Sequence, residues 1–131
     1  PAHARGCPYT LVIEGLACLE QAPYDVCMRD DATGAVFRAF VGNRESPFYG
    51  AWEYRDGDTV LCGRADTINY VPGRSLTMRD YDQGNNDGCA PAAMLAQFDF
   101  ARQTALVQVT PLGGESIVLR DRDLADSGCG P

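Results

Sequence analysis

The fold is indicated most directly by the stretch AWEYRDGDTVLC, residues 51–62. Aromatic and β-branched residues are typical of strands, and they lie on both sides of Asp56-Gly57-Asp58. An Asp-Gly pair between two such runs is a strong signal for a tight β-hairpin. The stretch therefore predicts two antiparallel strands joined by a short turn.

Neighbouring stretches extend this pattern along the chain. Residues 24–41 predict a second hairpin, because the alternating run YDVCMR is followed by the turn residues DDATG and then by AVFRAFV. Residues 91–96, PAAMLA, predict one short helical turn, since proline is favoured at the first helical position. Other short apolar runs predict strands at residues 9–13, 67–71, 75–80, 97–101, 105–110 and 116–120.

Together these elements predict one all-β domain over residues 1–131. Short strands at fairly even spacing, with turn residues between them, favour an antiparallel β-sandwich or a small β-barrel of about 8–10 strands. At most one short helix is expected. A β-trefoil is the alternative that suits the length, although the sequence has no clean threefold repeat.

The charge balance excludes some classes of partner. The net charge is −7, and all 11 basic residues are arginines, so the chain contains no lysine. An acidic surface is repelled by nucleic-acid backbones and by anionic lipids, and no apolar run is long enough to span a membrane as a helix. We therefore expect neither a nucleic-acid partner nor a membrane span. The absence of lysine is explained by a GC-rich genome or, alternatively, by escape from ubiquitin ligation inside a host cell.

The six cysteines predict three disulfides in an oxidising compartment. Their number is even, there is no C-x-x-C pair, and the single histidine is His3, so a zinc site is disfavoured. Cysteines used in this way are typical of secreted proteins. We expect Cys129 to tie the C-terminal segment to the N-terminal half, and we interpret the start at Pro1 as a mature, processed form. The predicted disulfide residues are Cys7, Cys18, Cys27, Cys62, Cys89 and Cys129.

Catalytic chemistry has few candidate residues. A serine or cysteine nucleophile needs a base, and His3 lies in a terminal stretch while the cysteines are expected to form disulfides. Carboxylate pairs remain, either Glu53 with Asp56 or Asp80 with Asp82, but acidic residues are so abundant that such pairs arise by chance. We therefore expect a protein that is not an enzyme.

The loop at residues 80–88, DYDQGNNDG, raises the possibility of a calcium site. Oxygen ligands on alternate residues are followed by a glycine, and Ca²⁺ prefers several oxygen ligands. The candidate ligands are Asp80, Asp82 and Asp87. An exposed polar loop before Cys89 explains the same pattern without a metal, so we expect no cofactor other than, at most, calcium.

An aromatic cluster follows the turn-rich segment at residues 42–47. Aromatic and arginine side chains are over-represented where proteins bind partners, so we predict a partner-binding surface at Arg44, Phe48, Tyr49 and Trp52. The alternative is that Trp52 and Tyr54 lie on one face of a strand and fill the core.

By its size, its six cysteines and its strand content, the chain resembles in kind the small disulfide-stapled proteins that filamentous fungi secrete, among them effectors and toxins. This likeness is one of class and involves no specific residues. It implies an extracellular, non-enzymatic binding protein that recognises an extracellular or host protein through its loops. Two alternatives remain open: an inhibitor that inserts residues 41–47 into a secreted protease or glycosidase, and a small carbohydrate-binding module that stacks sugars on the aromatic cluster.

Overall fold

The computed structural model describes residues 9–12, 24–30, 33–81 and 89–121. All regular secondary structure in these ranges is β-strand, which confirms the predicted all-β class. The strands are β1 (Tyr9–Val12), β2 (Val26–Asp30), β3 (Val36–Ala39), β4 (Ala51–Asp56), β5 (Thr59–Arg64), β6 (Thr67–Val71), β7 (Ser75–Asp80), β8 (Ala90–Asp99), β9 (Thr104–Pro111) and β10 (Ile117–Asp121).

The strands form two antiparallel meanders of five strands each. In the first meander, β1 to β5 pair in chain order, and in the second, β6 to β10 do the same. The meanders join where β5 pairs in parallel with the start of β8, through Leu61 with Ala90 and Cys62 with Pro91. This curled sheet is consistent with the predicted β-sandwich or small β-barrel, and the described strands do not show the threefold repetition of a trefoil.

The two meanders enclose one hydrophobic core. Phe37 of β3 stacks against Trp52 of β4 and against Phe98 of β8, with ring centroids 6.2 and 6.3 Å apart. Alternate residues of several strands face this core, as in β8, where Ala92, Met94, Ala96 and Phe98 are buried. The residues between them lie on the outer face of the meander.

Both predicted hairpins are confirmed. Strands β2 and β3 pair Val26 with Ala39, and β4 and β5 pair Asp56 with Thr59. The second hairpin needs its glycine, because Gly57 has a φ of 59°, a conformation that glycine adopts at no steric cost.

The helical turn predicted at residues 91–96 is wrong, because these residues belong to the ten-residue strand β8. Ala, Met and Leu favour helix locally, but β8 pairs with β7 on one side and β9 on the other. Backbone pairing on both sides outweighs the local preference. The strand predicted at residues 97–101 is the C-terminal end of β8, which stops at Asp99.

One predicted disulfide lies wholly within the described residues. Cys62 of β5 is bonded to Cys89, which directly precedes β8, and their Cα atoms are 5.9 Å apart. This bond therefore reinforces the junction between the meanders. Cys27 is also disulfide-bonded, to a cysteine outside the described residues. Cys7, Cys18 and Cys129 lie outside that part of the chain, and so does the predicted link from Cys129.

Candidate binding loop

The β3–β4 loop, residues 40–50, contains most of the predicted partner-binding residues. Two backbone hydrogen bonds close its base: the Phe40 N–H donates to the Ala51 carbonyl at 2.9 Å, and the Gly50 N–H donates to the Phe40 carbonyl at 2.8 Å. The loop therefore begins and ends on a hydrogen-bonded pair that continues the β3–β4 ladder.

Two consecutive turns shape the loop from within. The Ser46 N–H donates to the Asn43 carbonyl at 3.2 Å, and the Tyr49 N–H donates to the Ser46 carbonyl at 3.1 Å. Side chains reinforce both turns, since Asn43 Oδ1 accepts from the Glu45 N–H at 2.9 Å and Ser46 Oγ accepts from the Phe48 N–H at 3.1 Å. Asn and Ser are favoured at these positions because their short polar side chains can accept from backbone two residues ahead.

Asp25, just before β2, fixes the start of the loop. Its Oδ1 accepts from the Val41 N–H at 3.0 Å, and its Oδ2 accepts from the Gly42 N–H at 2.8 Å. A Cβ atom at position 42 would collide with this carboxylate, so a larger residue there would displace the Asp25 side chain. The carboxylate thus holds two successive backbone donors that would otherwise need water.

The end of the loop is fixed by the last residue of β5 and by the residue that follows it. Arg64 Nη1 donates to the Tyr49 carbonyl at 2.7 Å, and the Ala65 N–H donates to the Gly50 carbonyl at 2.9 Å. Gly50 has a φ of 86°, which few other residues adopt without strain. Both ends of the loop are therefore held by contacts distant in sequence.

The loop presents Phe48 as its main exposed apolar group. Phe48 is 51% exposed and packs edge-on against Phe40, with centroids 6.3 Å apart. Arg44 is also exposed, and Tyr49 is half-buried. Trp52 is 1% exposed and faces the core. It is therefore not part of the exposed surface predicted for the cluster, and the alternative prediction, that it fills the core, describes this residue.

Asp80, the first predicted calcium ligand, is 2% exposed. Its carboxylate is buried in the core, where Oδ2 accepts a 2.8 Å hydrogen bond from Trp52 Nε1. The predicted strand at residues 75–80 is confirmed and ends at Asp80, but the sequence does not show that this side chain faces the core. Asp82 and Asp87 lie outside the described residues. Within the ranges the structure describes, no three or more His, Cys, Asp or Glu side chains are grouped to hold a metal ion.

The carboxylates of Glu53 and Asp56 are not brought together. They are three positions apart in β4, and residues an odd number of positions apart point to opposite faces of a strand. Glu53 pairs with Arg38 at 2.7 Å and with Arg55 at 3.4 Å. Asp56 contacts the Tyr54 hydroxyl at 3.5 Å, and burial, followed by the charge of Asp56, raises the pKa of Tyr54 to about 12. The pair is therefore not arranged for acid–base catalysis.

Comparison with known proteins identifies no relative. The chain matches no protein-family model, no curated protein and no solved structure. In the part of the chain that the structure describes, no helix is long and apolar enough to cross a membrane.

Proposed function

We propose that this protein is an extracellular, disulfide-stabilised binding protein whose β3–β4 loop contacts a partner protein. The observation that carries the proposal is the combination of an exposed Phe48 with a loop held at both ends. Ordering a flexible loop on binding costs free energy, and a loop that is already ordered avoids most of that cost. Loops on a rigid scaffold are common sites of recognition for the same reason.

The side chains on the loop suit a protein partner. Aromatic and arginine residues contribute most of the affinity in many interfaces, because they bury a large area with few rotatable bonds. The loop has one exposed aromatic residue, Phe48, and one exposed arginine, Arg44. The ring of Phe48 packs against the ring of Phe40. An effector-like or toxin-like role, with a host protein as partner, fits a disulfide-bonded scaffold of this kind.

Extracellular localisation is supported by the cysteines. Cys62–Cys89 and the disulfide formed by Cys27 are the kind of bond that persists in oxidising compartments.

The inhibitor alternative is less well supported by the shape of the loop. Recognition in which an extended segment adds to a β-sheet needs a free extended backbone. Residues 43–49 instead form two consecutive turns. The carbohydrate alternative also loses its original basis, since Trp52 is in the core and only Phe48 of the cluster is an exposed aromatic.

The experiment is a comparison of capture by matched variants. The oxidised protein, Phe48→Ala, Arg44→Ala and the control Leu112→Ala would each be immobilised and exposed to extracellular and cellular extracts of candidate hosts. Leu112 is 63% exposed in the turn after β9, so its variant tests the loss of an exposed apolar group elsewhere.

We expect a protein that is retained by the parent and by Leu112→Ala, and that binds Phe48→Ala about tenfold more weakly or worse. A protein retained equally by the parent and by all three variants would contradict the proposal that the β3–β4 loop is the binding site. A retained hydrolase whose activity falls stoichiometrically would replace the proposal with the inhibitor alternative.

A further inference from the structure

A shallow groove of about 180 Å³ lies on the outer face of the second meander, and none of the residues that line it belongs to the β3–β4 loop. We refer to it as the β7–β9 groove. Its side-chain lining consists of Arg79, Tyr81, Ala93, Leu95, Gln108 and Thr110.

The strand register explains why a groove forms there. Arg79, Leu95 and Gln108 are paired across β7, β8 and β9 and form one row of side chains. The pairing of β7 with β8 ends at Asp80 opposite Met94, so Tyr81 directly follows the last paired residue of β7, while the neighbouring Ala93 of β8 is paired with Thr110 of β9. Because the methyl group of Ala93 is much shorter than its neighbours on either side, it forms the floor of a depression.

Tyr81 forms one wall of the groove. Its backbone N–H donates to Asp66 Oδ2 at 2.6 Å, and the guanidinium carbon of Arg79 lies 5.3 Å from its ring centroid. The residue is nevertheless 65% exposed, the largest value among the exposed large hydrophobic residues that the structure describes. An accessible aromatic ring can serve as a stacking surface.

The opposite wall carries neutral hydrogen-bonding groups. Gln108 Nε2 donates to Ser116 Oγ at 3.1 Å, and the Thr110 and Ser116 hydroxyls are 2.8 Å apart. A glutamine amide has two donors and one acceptor, so a single bond to Ser116 leaves part of the Gln108 amide available. This wall can therefore donate to and accept from a ligand without contributing a charge.

These features define the chemistry of a ligand. It needs a flat C–H face to lie on Tyr81 and Ala93, and hydroxyl groups at its edge to meet the Gln108 amide. A pyranose ring whose substituents are all equatorial has this form, because its axial C–H bonds leave the faces apolar. We propose that the β7–β9 groove binds a β-linked, gluco-configured saccharide, with one ring stacked on Tyr81. This site is separate from the proposed protein-binding loop, and neither proposal depends on the other.

The test is an NMR titration of the full ¹⁵N-labelled, oxidised chain with cellotetraose and laminaritetraose, and with maltotetraose as an α-linked comparison. We expect saturable shifts at millimolar concentrations of a β-linked sugar, centred on the amides of Arg79, Leu95 and Gln108. No saturable shift with either β-linked sugar would overturn the proposal. So would shifts centred on the β3–β4 loop, or binding of maltotetraose alone.

Variants separate stacking from a general loss of structure, and the same spectra show whether each variant is folded. Tyr81→Ala is expected to weaken binding about tenfold, whereas Tyr81→Phe keeps the ring and most of the affinity. Ala93→Leu fills the floor and should also abolish binding. Thr77→Ala lies on the same face outside the groove and should bind as the parent does. Equal binding by Tyr81→Ala and Thr77→Ala would overturn the assignment of Tyr81.

Discussion

Trp52 and Asp80 form a polar pair inside an otherwise apolar core. The two residues are 1% and 2% exposed, and the indole N–H donates to the carboxylate at 2.8 Å. Removing this donor leaves the buried carboxylate less well satisfied, and a smaller ring also leaves a cavity. We predict that Trp52→Phe lowers the free energy of unfolding by about 2–4 kcal/mol, measured by urea denaturation.

Tyr54→Phe is the matched control for this substitution. Tyr54 is a buried aromatic residue on the same face of β4, but its hydroxyl makes only a long contact of 3.5 Å with Asp56. Losing that hydroxyl should cost at most about 1 kcal/mol. If both substitutions lower the free energy of unfolding equally, the hydrogen bond between Trp52 and Asp80 does not contribute measurably to stability.

At the scale of the structural elements, the conformation of the β3–β4 loop depends on the close contact between Gly42 and the Asp25 carboxylate. Gly42 is not in the left-handed region, so alanine is acceptable to its backbone, but the added Cβ would collide with the Asp25 carboxylate. We predict that Gly42→Ala lowers the free energy of unfolding by about 1–3 kcal/mol, because the carboxylate must give up its bonds to the loop. Hydrogen exchange at the Val41 and Gly42 amides, both bonded to Asp25, should become faster.

A double-mutant cycle with Asp25→Ala checks the cause of this loss. Once the carboxylate is absent, the extra methyl group at position 42 has nothing to collide with, so Gly42→Ala should cost less than about 0.5 kcal/mol in that background. An equal cost in both backgrounds would mean that the penalty arises elsewhere and that Asp25 does not fix the loop.

The same elements show what a sequence can and cannot predict. The hairpin at residues 51–62 is predictable because its strands and its glycine turn are adjacent in the chain. Strand β8 is not, since residues 91–96 are extended only through their pairing with β7 and β9. Alternation along β4 places Trp52 in the core, but the sequence alone does not say which face of the strand is buried.

The candidate loop was likewise only partly predictable. Its turn residues and exposed Phe48 are local features that the sequence displays. The residues that fix it, Asp25 and Arg64, are 16 and 15 residues away from the backbone groups they bind, and only the packing of neighbouring strands brings them there. The β7–β9 groove was missed for the same reason, because its lining comes from three strands and no single stretch contains it.

At the scale of the whole molecule, the two meanders share few backbone contacts. They share the core, but in the described residues the strand pairing that joins them is the two-residue parallel match between β5 and β8. The Cys62–Cys89 disulfide lies beside this match and closes a loop with a sequence separation of 27. It therefore reinforces the junction at a point where the backbone contributes only a few hydrogen bonds.

We predict that the double substitution Cys62→Ser/Cys89→Ser lowers the free energy of unfolding by about 3 kcal/mol, since a cross-link over a loop of this length restricts the unfolded chain by roughly that amount. Urea denaturation measures the loss. Hydrogen exchange locates any further change in the folded state: protection should fall at Leu61 and Ala92, beside the junction, and persist in the β2–β3 hairpin. Faster exchange in that hairpin as well would contradict this assignment, because it would mean that the bond supports the first meander as a whole and not the junction between the two.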